Sequence, residues 1–366
     1  METKELHYCI ALTLLEGVGV RSAKTILSLY QGKAENFFLD KKLEKINLKG
    51  FSKEKLKKAK REQALIEAEQ YVDYITKENI NPHFYYSKNY PERLKNCLDA
   101  PIILFSKGEF AINPEKSIAI VGTRNMTSYG KHIVEELVES LGELNIQIVS
   151  GMAYGVDVLT HKLCLKHNIE TVGVLGHGLD RVYPYQHRNI ATDMLEREGG
   201  LITEFLHGTQ PDRENFPKRN RIVAGMTDAT IVVESGEKGG SLITAGLAND
   251  YNKDVFAFPG NITNEYSKGC NQLIATNKAH LADSAKYILD TMGWGVKVNK
   301  TIQRQFFPNL TEEETDLVNI IKEKELSVDL ISANLKKPVS KINSMLISLE
   351  LQGVVQSKPG NKFLAV

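Results

Sequence analysis

Ile118-Ala119-Ile120-Val121-Gly122-Thr123-Arg124-Asn125, followed by Ser128-Tyr129-Gly130-Lys131, is the stretch on which the fold turns. Four apolar residues in a row read as a strand covered on both faces, and the glycine-bearing polar turn that ends it opens into a helix. The unit recurs along the chain. Strands are expected at Ile118 to Val121, Ile146 to Ser150, Thr171 to Leu175, Leu201 to Thr203, Ala229 to Glu234 and Val255 to Phe258, with helical pattern between them. This rhythm, from about Ile80 to Met292, predicts an α/β fold: a doubly wound parallel sheet with helices on both faces. Ligands of such sheets bind beyond the carboxyl ends of the strands, where the strand order reverses.

Outward from this block the pattern changes on both sides. From Leu6 to about Ile75 apolar residues fall at three- and four-residue intervals, broken at Gly17-Val18-Gly19 ahead of Ser22, Ala23 and Lys24. That is the form of a helix-hairpin-helix turn, and equally of a plain helix connection. Lys53, Lys55, Lys57, Lys58, Lys60 and Arg61 crowd one expected helix, whose default reading is a solvated face. From about Leu310 to Val366 three helices precede a short hairpin, the order of a winged helix. Its recognition helix carries Ser340, Lys341, Asn343 and Ser344 but no arginine, which favours an accessory or protein-contact role over base reading. The expected domains are therefore 1–78 helical, 79–295 an extended Rossmann-like sheet, 296–309 a linker and 310–366 a winged helix.

Composition narrows the classes further. With 46 basic and 45 acidic residues in 366, the formal charge is +1, so anion binding must come from local patches. Cys9, Cys97, Cys164 and Cys270 stand apart, with no CxxC pair, which argues against a zinc site and a disulfide framework. The first residues lack a signal-peptide pattern and no apolar run reaches membrane-spanning length, so a cytoplasmic protein with no membrane partner is expected. No metal and no cofactor is expected.

The strand ends carry residues suited to phosphate. Arg124 sits where the first turn meets the crevice, and a guanidinium there can grip phosphate or make an internal ion pair. The second strand ends in Ser150-Gly151-Met152-Ala153-Tyr154-Gly155-Val156-Asp157, with His161 one turn along; Ser150-Gly151 replaces the acidic residue with which a dinucleotide enzyme holds ribose. Asp157 reads as a helix cap or an acceptor from a base, and His161 as a buried, hydrogen-bonded ring. Gly239-Gly240-Ser241 before Leu242 is a bulk-free helix start, a phosphate cradle. Phe216-Pro217-Lys218-Arg219-Asn220-Arg221 places three cations at a helix start, which suits a polyanion, although Arg219 and Arg221 could instead pair with the fold's own carboxylates. With Leu175-Gly176-His177-Gly178-Leu179-Asp180 closing the third strand, four strand ends on one sheet edge carry phosphate-suited residues and point to a nucleic-acid groove.

These residues, together with Tyr90-Pro91, Gly176-His177-Gly178-Leu179-Asp180 with Tyr183-Pro184, Val255 to Gly260, and Gly269 with Asn271, resemble the DNA-processing protein A family, also called Smf. The resemblance spans about 200 residues in order. It implies a non-enzymatic mediator that binds and protects single-stranded DNA during natural transformation, helps load the RecA recombinase and dimerises through its Rossmann-like core. Carried over by position, the DNA pocket would comprise Arg124, Ser150, Gly151, Phe216, Lys218, Arg219, Asn220, Arg221, Gly239, Gly240 and Ser241. Phe216 and Tyr154 suit sequence-tolerant stacking. His177 stands where a smaller polar residue would be expected. The competing reading is a nucleotide sensor or nucleoside-phosphate hydrolase built on Glu234 with Gly239-Gly240; a mononucleotide site, however, has little use for a third cation beside an aromatic ring. No GxSxG, HExxH or GxxxxGK[ST] motif occurs, so no catalytic residue is assigned.

Overall fold

The computed structural model describes residues 3–41, 43, 60–295, 310–322, 324–352, 354–358 and 362–365. They belong to two units, Met1–Gly295 and Val296–Val366. The strands of the first, in chain order, are β1 (Asn81–Phe84), β2 (Ile103–Glu109), β3 (Ser117–Val121), β4 (Gln147–Ser150), β5 (Thr171–Val174), β6 (Gly199–Thr203), β7 (Ala229–Val232), β8 (Asp254–Ala257) and β9 (His280–Leu281). Their order across the sheet is β1-β2-β6-β5-β4-β3-β7-β8-β9. All pairings from β6 through β9 are parallel.

All six expected strands form, but the sheet is mixed, because β1 and β2 add an antiparallel edge beside β6. Pro82 lacks an amide hydrogen and is tolerated only near an edge, so β1 carries no strand signature. The apolar start of β2 runs on into Ser106-Lys107-Gly108 within the strand, and no helix follows before β3, so β2 lacks the signature of a βα unit.

Alternation along β3 shows why the sheet is covered on both sides. Ala119 and Val121 enter a core with Val149, Val174, Ile222 and Val223, below the helices Asn215–Met226 and Gly240–Asp250. Ile118 and Ile120 enter the opposite core with Ile148, Ile231, Val134 and Val138, against Ser128–Leu141 and Val156–Lys166. Each such isoleucine, fully buried, contributes about 1.5–3 kcal/mol over its exposed state. The chain travels from β3 outward through β4, β5 and β6, then returns to β7 on the other side of β3. The reversal places a crevice between the loops that follow β3 and β7.

The helices Thr3–Leu14, Val20–Leu29, Ala34–Leu39 and Arg61–Lys77 share one core with Phe84, Ile102, Ile103 and Phe105 of the sheet edge. Gly17, at φ +78°, and Gly19, the cap of the second helix, make the expected helical connection. Lys24 donates to the carbonyls of Cys97 and Leu98, both at 3.3 Å, and lies over the Tyr85 ring. Of the basic run, Lys53, Lys55, Lys57 and Lys58 lie outside the described residues.

The second unit is a winged helix. Glu312–Ile320 starts on a capping box of Thr311 and Glu314, and Val328–Leu335 and Val339–Leu351 follow. β10 (Leu326–Ser327), β11 (Val355–Lys358) and β12 (Lys362–Ala365) form a sheet in the order β10-β12-β11. Leu317, Ile331, Ile342, Leu346 and Leu349 fill its core. The expected linker 296–309 and the hairpin tip 359–361 lie outside the described residues.

Candidate nucleic-acid interface

The loops after β3, β4, β5, β6 and β7 surround an open groove of about 640 Å³. One side of it is the first half of the Asn215–Met226 helix, and another is the start of Gly240–Asp250. The turn after β4 is shaped by Gly155, whose φ of +76° favours glycine and whose Cα faces the Thr123 and Arg124 carbonyls where a side chain would collide. Val156 N–H donates to the Thr123 carbonyl at 3.2 Å, locking the loops after β3 and β4 together.

Arg219 is the buried cation of the groove. It is only 6% exposed; one terminal nitrogen donates to the Val174 carbonyl at 2.7 Å, and its Nε has no hydrogen-bond partner among the described residues. Asp157, also buried, approaches the same point from the neighbouring helix. Gly151 separates the two, since a Cβ there would strike both the guanidinium and the carboxylate. Burial raises the Asp157 carboxyl above its ordinary pKa, opposed by Arg219, the Ala153 N–H, Ser150 and Arg124. Asp157 is therefore no ordinary cap: its one backbone contact, from Ala153 N–H, is long at 3.4 Å. His161 is buried as expected, bonded through Nδ1 to Thr171 Oγ1 at 2.8 Å and through Nε2 to the Gly151 carbonyl at 2.7 Å. Burial lowers its pKa to about 4.

Arg124 is exposed at the rim, 6.0 Å from the Phe216 ring centre. Phe216 in turn lies 5.8 Å from Tyr183 at a shallow 31°. Both rings, with Tyr154, also line a smaller recess running inward from the groove to His177 and Arg219. Tyr154 is half exposed; its hydroxyl reaches Gln186 and its ring meets His187 edge-on. His177 acts as a bracket. Its Nε2 accepts from Tyr183 N–H at 3.2 Å while Nδ1 bonds the Gly178 carbonyl at 2.8 Å, and burial depresses its pKa, which suits the neutral ring this pairing requires.

Gly239 caps the Gly240–Asp250 helix, and the space beside Gly240 is open. The first N–H groups of that helix lack intrahelical acceptors and carry the positive end of its dipole. Ser241 turns its hydroxyl to Ser235 at 2.8 Å, so its backbone, not its side chain, is what the groove can use. Asn220 reaches the Gly240 carbonyl at 3.5 Å and lines the groove with it.

Besides Ser241, whose hydroxyl turns away, and Tyr154, which lines the inner recess, three of the expected residues do not present their side chains there. Ser150 is buried with its hydroxyl on the Ile120 carbonyl at 2.6 Å. Arg221, two residues from Arg219 and so about 200° around the helix, points the other way and pairs with Glu204 and the Asp99 carbonyl. Lys218 is exposed near Glu204 and is not part of the groove lining. Conversely, Thr123, Asp157, Tyr183 and Arg213 line the groove without having been assigned to it. Tyr183 carried a signal in its position after the third strand; Arg213 sits in a loop that no motif marks. Glu234, the carboxylate of the enzyme reading, accepts from Thr127 N–H at 2.9 Å and from its hydroxyl at 2.6 Å, which fixes the cap of the Ser128–Leu141 helix. Among the described residues no group of His, Cys, Asp and Glu could hold a metal ion, and no helix is long and apolar enough to cross a membrane.

A Rossmann-like sheet with a cationic, aromatic groove at its switch point, in one chain with a winged helix, defines a class of α/β proteins. Within that class the chain belongs to the DNA recombination-mediator protein A family, whose model matches residues 81–293. The model of the DprA winged helix domain matches residues 307–361. Protein Smf of Escherichia coli strain K12 is 32% identical over 279 residues, covering 75% of this chain and 74% of that protein. The DNA processing protein DprA of Bacillus subtilis strain 168 is 39% identical over 189 residues, 51% of this chain and 63% of that one. An X-ray structure of DNA processing protein A from Streptococcus pneumoniae superposes with a TM-score of 0.62 at 27% identity, covering 79% of this chain and 98% of that chain. A structure of the Helicobacter pylori protein, concerned with its single-stranded DNA binding mode, gives 0.51 at 28% identity over 57% of this chain and 96% of that one.

Proposed function

We propose that the groove binds single-stranded DNA without regard to sequence. We propose further that the chain serves as a recombination mediator in natural transformation: it shelters the incoming strand in the cytoplasm, helps load a RecA recombinase and catalyses no turnover. The observation that carries this reading is the meeting of Arg219, with its unpartnered Nε, the exposed Arg124 and the Phe216 and Tyr183 rings in one open groove. Cations can follow a phosphate backbone while rings stack on bases of any identity. The residues proposed to act are Arg124, Gly151, Tyr154, Phe216, Arg219, Asn220, Gly239, Gly240 and the Ser241 backbone, joined by Thr123, Tyr183 and Arg213. Commitment of Glu234 to Thr127 supports a binding role over hydrolysis.

In this reading the first helices, about residues 1–78, and the winged helix, 310–366, are accessory domains, and the Rossmann-like domain, 79–295, carries a homodimer. In the winged helix, Lys337 and Lys341 both pair with Glu313, which supports an accessory role for that domain. The test is anisotropy titration of a labelled mixed-sequence single strand and its duplex. Tighter binding of the single strand, weakened by Arg124→Ala and by Arg219→Ala, is expected; equal binding of duplex, or unaffected variants, would overturn the proposal.

A further inference from the structure

A carboxylate inside a groove for a polyanion needs a reason. Asp157 is 7% exposed, lines the groove, and lies with Arg219 against the α-carbon of Gly151 without forming a direct ion pair. If it stayed ionised, an arriving phosphate would compete with it for Arg219 and be repelled by it. Simple removal of its charge would leave Arg219 to the phosphate.

We propose that Asp157 is the groove's proton-coupled positioning residue: in the free protein its carboxylate holds Arg219 in place, and on arrival of a DNA phosphate it takes up a proton and yields Arg219 to the strand. This inference rests on the single-stranded DNA reading of the same groove. The proton comes from solvent and no bond other than O–H forms. The charged groups facing Asp157 are Arg219 on the Asn215–Met226 helix and Arg124 in the loop after β3; His161, one turn along the Asp157 helix, bonds the Gly151 carbonyl and is influenced by Arg219 and His187. Burial, the largest influence, favours the protonated form, while Arg219 and Arg124 favour the ionised one, so a phosphate that draws Arg219 away and adds a negative charge shifts the carboxyl further toward its protonated form. His161 stays neutral above about pH 4 and does not titrate in the window concerned.

The sign follows from linkage. A complex that holds one more proton than its separated parts strengthens as pH falls, by at most about tenfold in affinity per pH unit, between the carboxyl's bound and free pKa values. Single-strand affinity should therefore rise from pH 8 to pH 5 in the wild type. In Asp157→Asn it should be several-fold tighter than wild type at neutral pH and lose that component of the pH slope. Calorimetry in buffers of different ionisation enthalpy should count the protons taken up. Infrared difference spectra of the wild type should gain a protonated-carboxyl band on adding DNA, a readout that does not depend on the variant folding. Weaker binding by Asp157→Asn with an unchanged pH slope, or no new carboxyl band, overturns the inference and leaves the groove intact. No single-strand binding by wild type at any pH removes the groove reading, and this inference with it.

Discussion

Arg219 and Arg221 stand two residues apart on one helix and occupy opposite environments. Arg219 enters a groove open to solvent, keeps one donor without a partner, and faces Asp157 only across a glycine. Arg221 enters a closed clasp in which Glu204 and the Asp99 carbonyl take its donors, Tyr251 ties down the Asp99 carboxylate, and Lys24 straps the Cys97 and Leu98 carbonyls nearby. Burial holds the Glu204 carboxyl above the ordinary range even with Arg221 beside it. The difference teaches that a count of cations in a motif is not a count of phosphate contacts. The helix turns one arginine to the groove and uses the next to hold the helix itself.

The largest expected effect is on the clasp. Arg221→Ala leaves Glu204 buried and unpaired, a loss of about 3–5 kcal/mol in stability, read by denaturant unfolding. Protein that remains folded should keep most of its single-strand affinity; a selective loss of binding at unchanged stability would erase the contrast between the two arginines. Arg219→Ala should do the reverse in character, costing about 1.5–3 kcal/mol of binding from the lost charge-assisted bonds, with some stability lost as Asp157 is left without its counter-charge.

How much of this contrast could be read in the sequence is visible at these two residues. The helix and its position at the sheet edge were legible, because Ile222-Val223-Ala224 continues an apolar face and each strand ends in a recognisable turn. The partner of each arginine was not, since Glu204 and Asp99 lie 17 and 122 residues away and meet Arg221 only through tertiary folding. The direction of the Ser150 hydroxyl was not legible for a similar reason: a strand-end serine looks the same whether its side chain faces a groove or, as here, a neighbouring strand's carbonyl. The edge strands β1 and β2 lacked the strand-to-helix handover by which the other strands announce themselves.

Smaller effects sharpen the groove side of the comparison. Phe216→Ala should weaken single-strand binding by about 1–3 kcal/mol, the value of one base stacked on an aromatic ring, with little dependence on base identity; a strong base dependence would argue for edge reading instead. His161 protonates at about pH 4 when folded but near about 6.5 when unfolded, so the unfolded chain binds the extra proton between those values. Stability should fall as pH drops through that window, by at most about 1.4 kcal/mol per pH unit, and urea titrations of His161→Gln should lack this component. Three guanidiniums line the groove, Arg124, Arg213 and Arg219, so log affinity should fall with log salt at a slope near about −2, and Arg213→Ala should reduce its magnitude by about 0.7. In the winged helix, Lys341→Ala should leave single-strand affinity unchanged, because Glu313 already holds that cation.

The most direct test is photocrosslinking of a single strand carrying halogenated pyrimidines, with the modified residues mapped by mass spectrometry. The groove predicts adducts at Phe216, Tyr183 and Tyr154. Adducts confined to the Gly17–Gly19 turn or to the Val339–Leu351 helix, with none at those three rings, would contradict it.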